Sequence, residues 1–222
     1  MRIAATIPAY QAAPSIGSVV SRTRVLVPEL LVVDDGSRDA TAEEARRAGA
    51  EVVSFAENRG KGCALRHAFD LLFARGVEAV ITLDSDGQHL PEEIPKLLAH
   101  AQEAELVIGG RELLFAEMSR LRRTSNRLSS AAISLAAGTR LGDVQSGFRL
   151  YTRRLVETTG FPESRFDAES AVVVRAARRG LRIVSVPVRL GFADGRLTSH
   201  YRPIVDSLRI ARAVVAARRE LL

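Results

Sequence analysis

Short runs rich in β-branched residues alternate with helical patterns through the first half of this 222-residue chain. The apolar runs cover residues 2–7, 30–33, 51–55, 79–83 and 106–108. Between them, Gly49 and Gly76 stand where helices are expected to end, and Pro91 suits the first residue of a helix. Strands that alternate with helices form βαβ units, whose strands run parallel. The sequence therefore predicts an α/β fold with a mostly parallel sheet flanked by helices.

The length of the chain and its 46% hydrophobic content suit one domain with a substantial core. We predict a domain over residues 1–200 and a tail over residues 201–222. The tail has the pattern of an amphipathic helix, with basic residues around one apolar stripe. The stripe consists of Ile204, Leu208, Ala211 and Val215.

Cysteine usage and hydropathy predict a cytoplasmic location. Cys63 is the only cysteine, and Met1 leads into a strand-like run that lacks the pattern of a signal peptide. No stretch approaches the roughly 18 apolar residues that a membrane-spanning helix needs. The net charge of +6 suits a polyanionic partner. Nucleic acid is not the expected partner, because few aromatic residues accompany the arginines and no groove-reading motif is present.

Two clusters of carboxylates follow predicted strands. Asp34 and Asp35 come at the end of one strand, where open α/β sheets bind their ligands. Asp84 and Asp86 follow a later strand and are two residues apart, with Gln88 two residues beyond. In extended chain this spacing points the side chains to the same side, and such oxygen ligands suit Mg²⁺ or Mn²⁺. The pattern predicts a metal–diphosphate site.

A glycine-flanked basic turn around Lys61 opens a predicted helix. Backbone N–H groups, the helix dipole and the Lys61 ammonium would favour an anion such as a donor phosphate, although an ordinary helix start explains the same residues. Farther on, arginines cluster between residues 111 and 127, and such a cluster is a candidate for binding a phosphorylated acceptor. Its members are Arg111, Arg120, Arg122, Arg123 and Arg127.

Eight motifs along nearly the whole chain together resemble glycosyltransferase family 2, and within it the dolichyl- or polyprenyl-phosphate sugar synthases. In chain order they are Ile7-Pro-Ala-Tyr, Val33-Asp-Asp-Gly-Ser-Arg-Asp, Asn58-Arg-Gly-Lys-Gly, Leu83-Asp-Ser-Asp-Gly-Gln-His, Ile108-Gly-Gly-Arg, Asn126-Arg, Asp143-Val-Gln-Ser-Gly-Phe-Arg and Ser199-His. Each motif alone is weak, whereas eight in the family's order and spacing identify the chain as a member.

The resemblance implies a GT-A fold, a Rossmann-like α/β domain that binds a nucleotide-sugar donor at the strand ends. By similarity, the donor's base would be bordered by Pro8, Ala9 and Tyr10, and Asp35 would lie near the base or ribose. The metal on the diphosphate would be surrounded by Asp84, Asp86 and Gln88. The acceptor phosphate would face Arg111 and Arg127. The loop that closes the sugar side would contain Asp143, Gln145, Ser146 and Arg149.

The resemblance further implies an inverting enzyme that moves a hexose from a GDP- or UDP-linked sugar to polyprenyl phosphate. The expected catalytic residues are Asp86, Asp143, Arg149 and Glu169. If the acceptor is instead a saccharide hydroxyl, Asp143 and Glu169 are the candidates for the general base. A lipid acceptor implies that the protein acts at the inner face of the cell membrane, through the amphipathic tail or a membrane-protein partner.

The chain departs from the family's usual sequence in two respects. Two other classes of protein are alternatives. Gln11, Ala12 and Ala13 stand where the family usually has Asn-Glu-Glu or a similar run, so the acidic residues expected there are absent. There is no tryptophan, so the motif of processive synthases is absent as well. A receiver domain also places carboxylates at two strand ends, but the lysine that it needs at a later strand end is replaced here by Arg111. A sugar-phosphate nucleotidyltransferase is a nearer alternative, but its glycine-rich N-terminal loop is missing.

Overall fold

The computed structural model describes residues 1–110, 130–131, 133–138, 144, 146–191 and 210–217. The strands are β1 (Ile3–Ala9), β2 (Leu30–Asp34), β3 (Glu51–Ser54), β4 (Ala79–Thr82), β5 (Leu106–Gly110), β6 (Arg149–Thr152) and β7 (Ile183–Pro187). The helices are α1 (Ala13–Leu26), α2 (Thr41–Arg47), α3 (Lys61–Ala74), α4 (Ile94–Leu98), α5 (Arg153–Thr159) and α6 (Asp167–Arg178). A 3-10 turn, Pro91–Glu93, precedes α4, and residues 133–137 and 210–217 are also helical.

The seven strands form one sheet in the order β3-β2-β1-β4-β6-β5-β7. Neighbours pair in parallel except β6, which runs antiparallel to both β4 and β5. The predicted mostly parallel α/β sheet is therefore confirmed. The strand β6 lies between β4 and β5, a position that the sequence does not indicate.

Both faces of the sheet are covered by apolar clusters, because alternate residues of each strand point to opposite faces. One face packs α1, α4 and Ala45 of α2 against residues such as Ile7 and Ile81. The other face packs α3, α6 and residues 133 and 136 against residues such as Val33 and Val80. A sheet that is buried on both faces leaves its edges and the ends of its strands for ligands.

Helix starts agree with the predictions to within a few residues. α2 begins two residues after Asp39, whose carboxylate accepts hydrogen bonds from the Thr41 N–H and from the Ala13 N–H at the start of α1, both at 3.1 Å. Burial alone would raise the pKa of Asp39, but the hydrogen bonds from Thr41 and Ala13 outweigh it and lower that pKa. Pro91 begins the 3-10 turn, and α4 follows it directly.

The described part of the tail, residues 210–217, packs against the domain. Ala213, Val214 and Ala217 are buried in the same apolar cluster as α3 and α6. Of the predicted stripe, Ala211 and Val215 are described, and both are exposed. Val215 retains 49% of its accessible surface. The buried face of the helix is thus different from the predicted stripe, whose two described members face solvent. None of the helices that the structure describes is long and apolar enough to cross a membrane.

Candidate active site

The carboxyl ends of β1, β2 and β4 bring the predicted residues to one edge of the sheet. Ala9 lies beside Asp34 in the β1–β2 register, and Thr6 lies beside Thr82 in the β1–β4 register. Asp84 follows β4 by two residues and so lies near the level of Pro8. Tyr10 follows β1 directly and is partly exposed. The residues expected at the nucleotide therefore share an edge with the residues expected at the metal.

Asp35 accepts hydrogen bonds from backbone N–H groups of the basic turn that precedes α3. Its two carboxylate oxygens accept hydrogen bonds from the backbone N–H groups of Arg59 (2.6 Å) and Gly60 (2.8 Å). Burial raises the pKa of Asp35, and these two hydrogen bonds oppose the rise. The anion held by these two N–H groups is thus a carboxylate of the protein itself. The expectation that they bind an external phosphate is wrong, because Asp35 already occupies them.

Gly60 and α6 are held close together behind this turn. Gly60 has φ of 97°, which favours glycine, and a Cβ there would lie 2.4 Å from the Ser164 carbonyl oxygen. The same carbonyl accepts a hydrogen bond from the Cys63 N–H at 3.1 Å. The turn, the start of α3 and the segment before α6 therefore form one packed unit that fixes the position of Lys61.

Lys61 lies between two carboxylates that are far from it in sequence. Its Nζ is 2.6 Å from Asp84 Oδ1 and 2.9 Å from Glu169 Oε2, and its side chain is only 13% exposed. Burial by itself would lower the pKa of Lys61, but the charges of Asp84 and Glu169 outweigh it and raise that pKa. Lys61 is therefore an ammonium ion at any physiological pH.

Glu169 has one oxygen on Lys61 and a second oxygen, Oε1, that is buried. Within the described part of the chain, Oε1 has no hydrogen-bond partner. The residue is 6% exposed. Buried oxygens without partners are uncommon and point to a missing ligand atom or water. Glu169 can therefore accept one further hydrogen bond from a hydroxyl or an ammonium.

Asp86 and Gln88 form a second group beside Asp84. Asp86 accepts hydrogen bonds from both the backbone N–H and the side-chain Nε2 of Gln88, each at 2.9 Å. Burial, with the nearby charge of Asp84, raises the pKa of Asp86. Because Gln88 uses its Nε2 on Asp86, its amide oxygen is the atom that it can offer to a cation.

Gly147 closes the site from the side of β6, and its role was not predicted from the sequence. A Cβ at this position would lie 2.7 Å from both carboxylate oxygens of Asp84 and from Lys61 Nζ. The Gly147 carbonyl is fixed by a hydrogen bond of 2.7 Å from the Thr82 hydroxyl at the end of β4. The chain must pass this close because β6 pairs directly with β4.

Arg149 and Ser146 are placed inside the protein. The Arg149 guanidinium is fully buried and donates to the carbonyl oxygens of Val144 (2.7 Å), Ser146 (2.7 Å) and Glu169 (2.6 Å). Ser146 is 1% exposed. Because its donors are spent on carbonyl groups, Arg149 holds the loop before β6 against the start of α6. This arrangement corrects the expectation that Arg149 is catalytic and makes it a positioning residue.

Four predicted site residues lie outside the described residues: Arg111, Arg127, Asp143 and Gln145. Of the remaining predictions, the structure brings Asp84, Asp86, Gln88, Lys61 and Glu169 together at one edge of the sheet. Sequence reasoning also missed Gln11, whose side-chain oxygen accepts hydrogen bonds from the N–H groups of Arg38 (3.1 Å) and Asp39 (3.2 Å). A positive φ of 53° turns Gln11 toward the loop after β2.

The charges and ligand types of this group fit a divalent cation that also binds a diphosphate. Three carboxylates, those of Asp84, Asp86 and Glu169, and one ammonium, that of Lys61, leave a formal charge of −2 when all are ionised. In the described residues, no three His, Cys, Asp or Glu side chains are grouped to enclose a metal on their own. Mg²⁺ commonly uses one or two carboxylates and completes its shell with water and substrate phosphates.

Comparisons with known proteins show which proteins this chain is similar to. The sequence profile described as Glycosyl transferase family 2 matches residues 5–160. An undecaprenyl-phosphate mannosyltransferase of Micrococcus luteus is 34% identical over 202 residues, which cover 85% of this chain and 83% of that protein. An undecaprenyl-phosphate 4-deoxy-4-formamido-L-arabinose transferase of Pseudomonas aeruginosa is 36% identical over 169 residues, which cover 70% of this chain and 48% of that protein.

Solved structures show the same fold. Glucosyl-3-phosphoglycerate synthase from Mycobacterium tuberculosis, in complex with Mn²⁺, UDP and phosphoglyceric acid, is 25% identical with a TM-score of 0.71. That superposition covers 97% of this chain and 76% of the other. Another structure of the same enzyme reaches a TM-score of 0.74 at 24% identity, covering 97% of this chain and 80% of the other.

Proposed function

Because the chain belongs to glycosyltransferase family 2, we propose that it moves a hexose from a GDP- or UDP-linked sugar to polyprenyl phosphate with inversion at the anomeric carbon. The observation that carries the proposal is the group of Asp84, Asp86, Lys61 and Glu169 at the strand ends. Its ligand types suit a metal–diphosphate, and the relative of 34% identity is named for an undecaprenyl-phosphate acceptor.

Departure of the nucleoside diphosphate is the step that these residues assist. The bond between the anomeric carbon and the diphosphate oxygen breaks, and its electron pair stays on the diphosphate. Mg²⁺ or Mn²⁺ held by Asp84, Asp86 and the Gln88 amide oxygen would neutralise charge on the leaving group. The Lys61 ammonium adds a second positive charge that is fixed before the reaction begins.

The acceptor phosphate needs little activation. One of its oxygens is already anionic near neutral pH, so it can attack the anomeric carbon from the face opposite the leaving group without losing a proton. Arg111 and Arg127 are proposed to hold this phosphate by bidentate contacts. Pro8, Ala9 and Tyr10 are proposed to border the base, since they lie at the same sheet edge as Asp84.

A soluble acceptor with a hydroxyl nucleophile is the second candidate function. The observation that favours it is Glu169 Oε1, a buried carboxylate oxygen without a partner in the described part of the chain. Such an oxygen can accept a hydrogen bond from an acceptor hydroxyl and then its proton, as can Asp143. With polyprenyl phosphate as acceptor, this oxygen does not need to take a proton.

A panel of donors and acceptors tests the proposal. GDP- and UDP-hexoses are incubated with Mg²⁺ or Mn²⁺ and with undecaprenyl phosphate, a saccharide or phosphoglycerate, and the products are separated by chromatography. We expect metal-dependent transfer to undecaprenyl phosphate, with the anomeric configuration inverted by NMR. Transfer only to a soluble acceptor would replace the proposed acceptor, and a retained configuration would contradict inversion.

A lipid acceptor requires contact with a membrane, and we propose that the exposed stripe of the tail helix contributes to it at the inner face of the cell membrane. Val215 and Ala211 face solvent beside Arg212, whereas Ala213 and Val214 fix the helix to the domain. An apolar side chain with a neighbouring positive charge suits an anionic bilayer surface.

We expect Val215→Asp to lower co-sedimentation with anionic liposomes by about threefold, because it opposes both insertion and charge attraction. Val25→Asp is the matched control, since Val25 is 81% exposed on α1, which packs against the other face of the sheet. If both variants and the unchanged protein pellet equally, the tail helix does not contribute to lipid binding, and a membrane-protein partner is favoured instead.

A further inference from the structure

Lys61 is held in the site by two acidic residues. Its Nζ contacts Asp84 at 2.6 Å and Glu169 at 2.9 Å, and its side chain is 13% exposed. Lys61 and Lys96 are the only lysines of the chain. The ammonium therefore joins the segment after β4 to the first turn of α6.

Asp84 is the residue that Lys61 shares with the proposed metal. A divalent cation bound by the Asp84 carboxylate would come close to an ammonium that is already 2.6 Å from Oδ1. Two positive charges that share one carboxylate repel each other in a partly buried site. The two cations therefore compete for Asp84 unless Lys61 moves.

Glu169 can bind the Lys61 ammonium more fully than it does in the structure. Its Oε2 already contacts the ammonium, and its buried Oε1 has no partner among the residues described. An ammonium has three N–H donors, so it can bond both oxygens of one carboxylate. A small movement of Nζ away from Asp84 would thus be compensated by a new hydrogen bond to Glu169.

We propose that Lys61 is an internal cation that keeps Asp84 neutralised until the metal and donor diphosphate bind, and that it then shifts onto Glu169 and the diphosphate. This proposal rests on the proposed function. According to the proposal, Lys61 competes with the metal for Asp84 in the free enzyme and binds the donor diphosphate in the loaded enzyme. A lysine that served only as a diphosphate ligand would not oppose the metal.

The variant Lys61→Met separates these two effects. Calorimetry without nucleotide is expected to show Mn²⁺ binding about tenfold or more tighter than in the unchanged protein, because a competing positive charge is gone. Calorimetry with Mn²⁺ present is expected to show UDP or GDP binding about tenfold weaker, because a charge-assisted contact to the diphosphate is lost. Lys96→Met is the matched control, since Lys96 lies in α4 and pairs with Glu93. It should leave both affinities unchanged.

An Mn²⁺ affinity that is unchanged or weaker in Lys61→Met would overturn the proposal while leaving the metal-dependent transferase intact. Failure of the unchanged protein to bind Mn²⁺, even with nucleotide, would overturn this proposal together with the metal dependence of the proposed function.

A measurement on the unchanged protein avoids any effect of substitution on folding. Protein labelled with ¹³C-lysine has two side-chain Cε signals, from Lys61 and Lys96, and the Lys96→Met variant assigns them. We expect Mg²⁺ with UDP or GDP to shift the Lys61 signal and to leave the Lys96 signal in place. A Lys61 signal that stays fixed at saturating Mg²⁺ and nucleotide would overturn the shift from Asp84 to Glu169.

Discussion

Asp86→Asn is expected to lower the rate of sugar transfer by about 10³-fold, the loss that follows when an electrostatic contribution of several kcal/mol to the transition state is removed. An amide keeps the shape of Asp86 and can still accept a hydrogen bond from Gln88, but it no longer carries the charge that a divalent cation requires. Steady-state transfer at saturating Mn²⁺ measures the effect, and calorimetry measures the accompanying loss of metal affinity.

Asp70→Asn is the matched control for Asp86→Asn. Asp70 is exposed on α3, so its substitution removes the same charge from the surface and should leave transfer unchanged. Thermal unfolding of both variants should resemble that of the unchanged protein. Full activity of Asp86→Asn at saturating Mn²⁺ would show that Asp86 does not bind the metal.

Gly147→Ala is expected to lower transfer by about 10²-fold or more, the scale of loss for a displacement of about 1 Å in a reacting site. The added Cβ would lie 2.7 Å from both Asp84 oxygens and from Lys61 Nζ, so these groups must move. They are the ends of flexible side chains, and the backbone of Gly147 does not have a positive φ. The fold should therefore survive while the site is displaced.

The control for this prediction is Gly17→Ala. A Cβ at Gly17 in α1 would meet nothing closer than 3.9 Å, and alanine favours the helix. Gly17→Ala should keep full transfer and unfold at the same or a higher temperature. If Gly147→Ala also kept full transfer, the close approach of β6 to Asp84 would have no part in catalysis.

The positions of the carboxylates at the sheet edge could be predicted from the sequence because they depend on local patterns. Apolar β-branched runs mark the strands, and parallel strands place their carboxyl ends at one edge. Asp34, Asp84 and Asp86 follow such runs directly, so their common location required only the order of strands and helices. The helix start at Lys61 could be predicted because it also depends on a local pattern.

The contacts within the site could not be predicted, because each joins segments that are distant in sequence. In the sequence, Asp35 and the basic turn each suggested part of a ligand site. The structure shows that they bind each other, because Asp35 accepts hydrogen bonds from the N–H groups of the turn. Lys61 meets Glu169 because α3 and α6 pack on the same face of the sheet. The role of Gly147 depends on the place of β6, which a four-residue strand pattern cannot specify.

The place of β6 also determines when the protein can fold as it leaves the ribosome. β4 and β5 are both made before β6, yet they are neighbours of β6 and not of each other. Until β6 has emerged, β4 has one unpaired edge and β5, whose other neighbour β7 is made later still, has two, and such edges pair readily with other chains. The first half of the chain therefore cannot complete the sheet by itself. Because Glu169 follows later still, Lys61 and Asp84 lack the carboxylate that completes their group until α6 has been made.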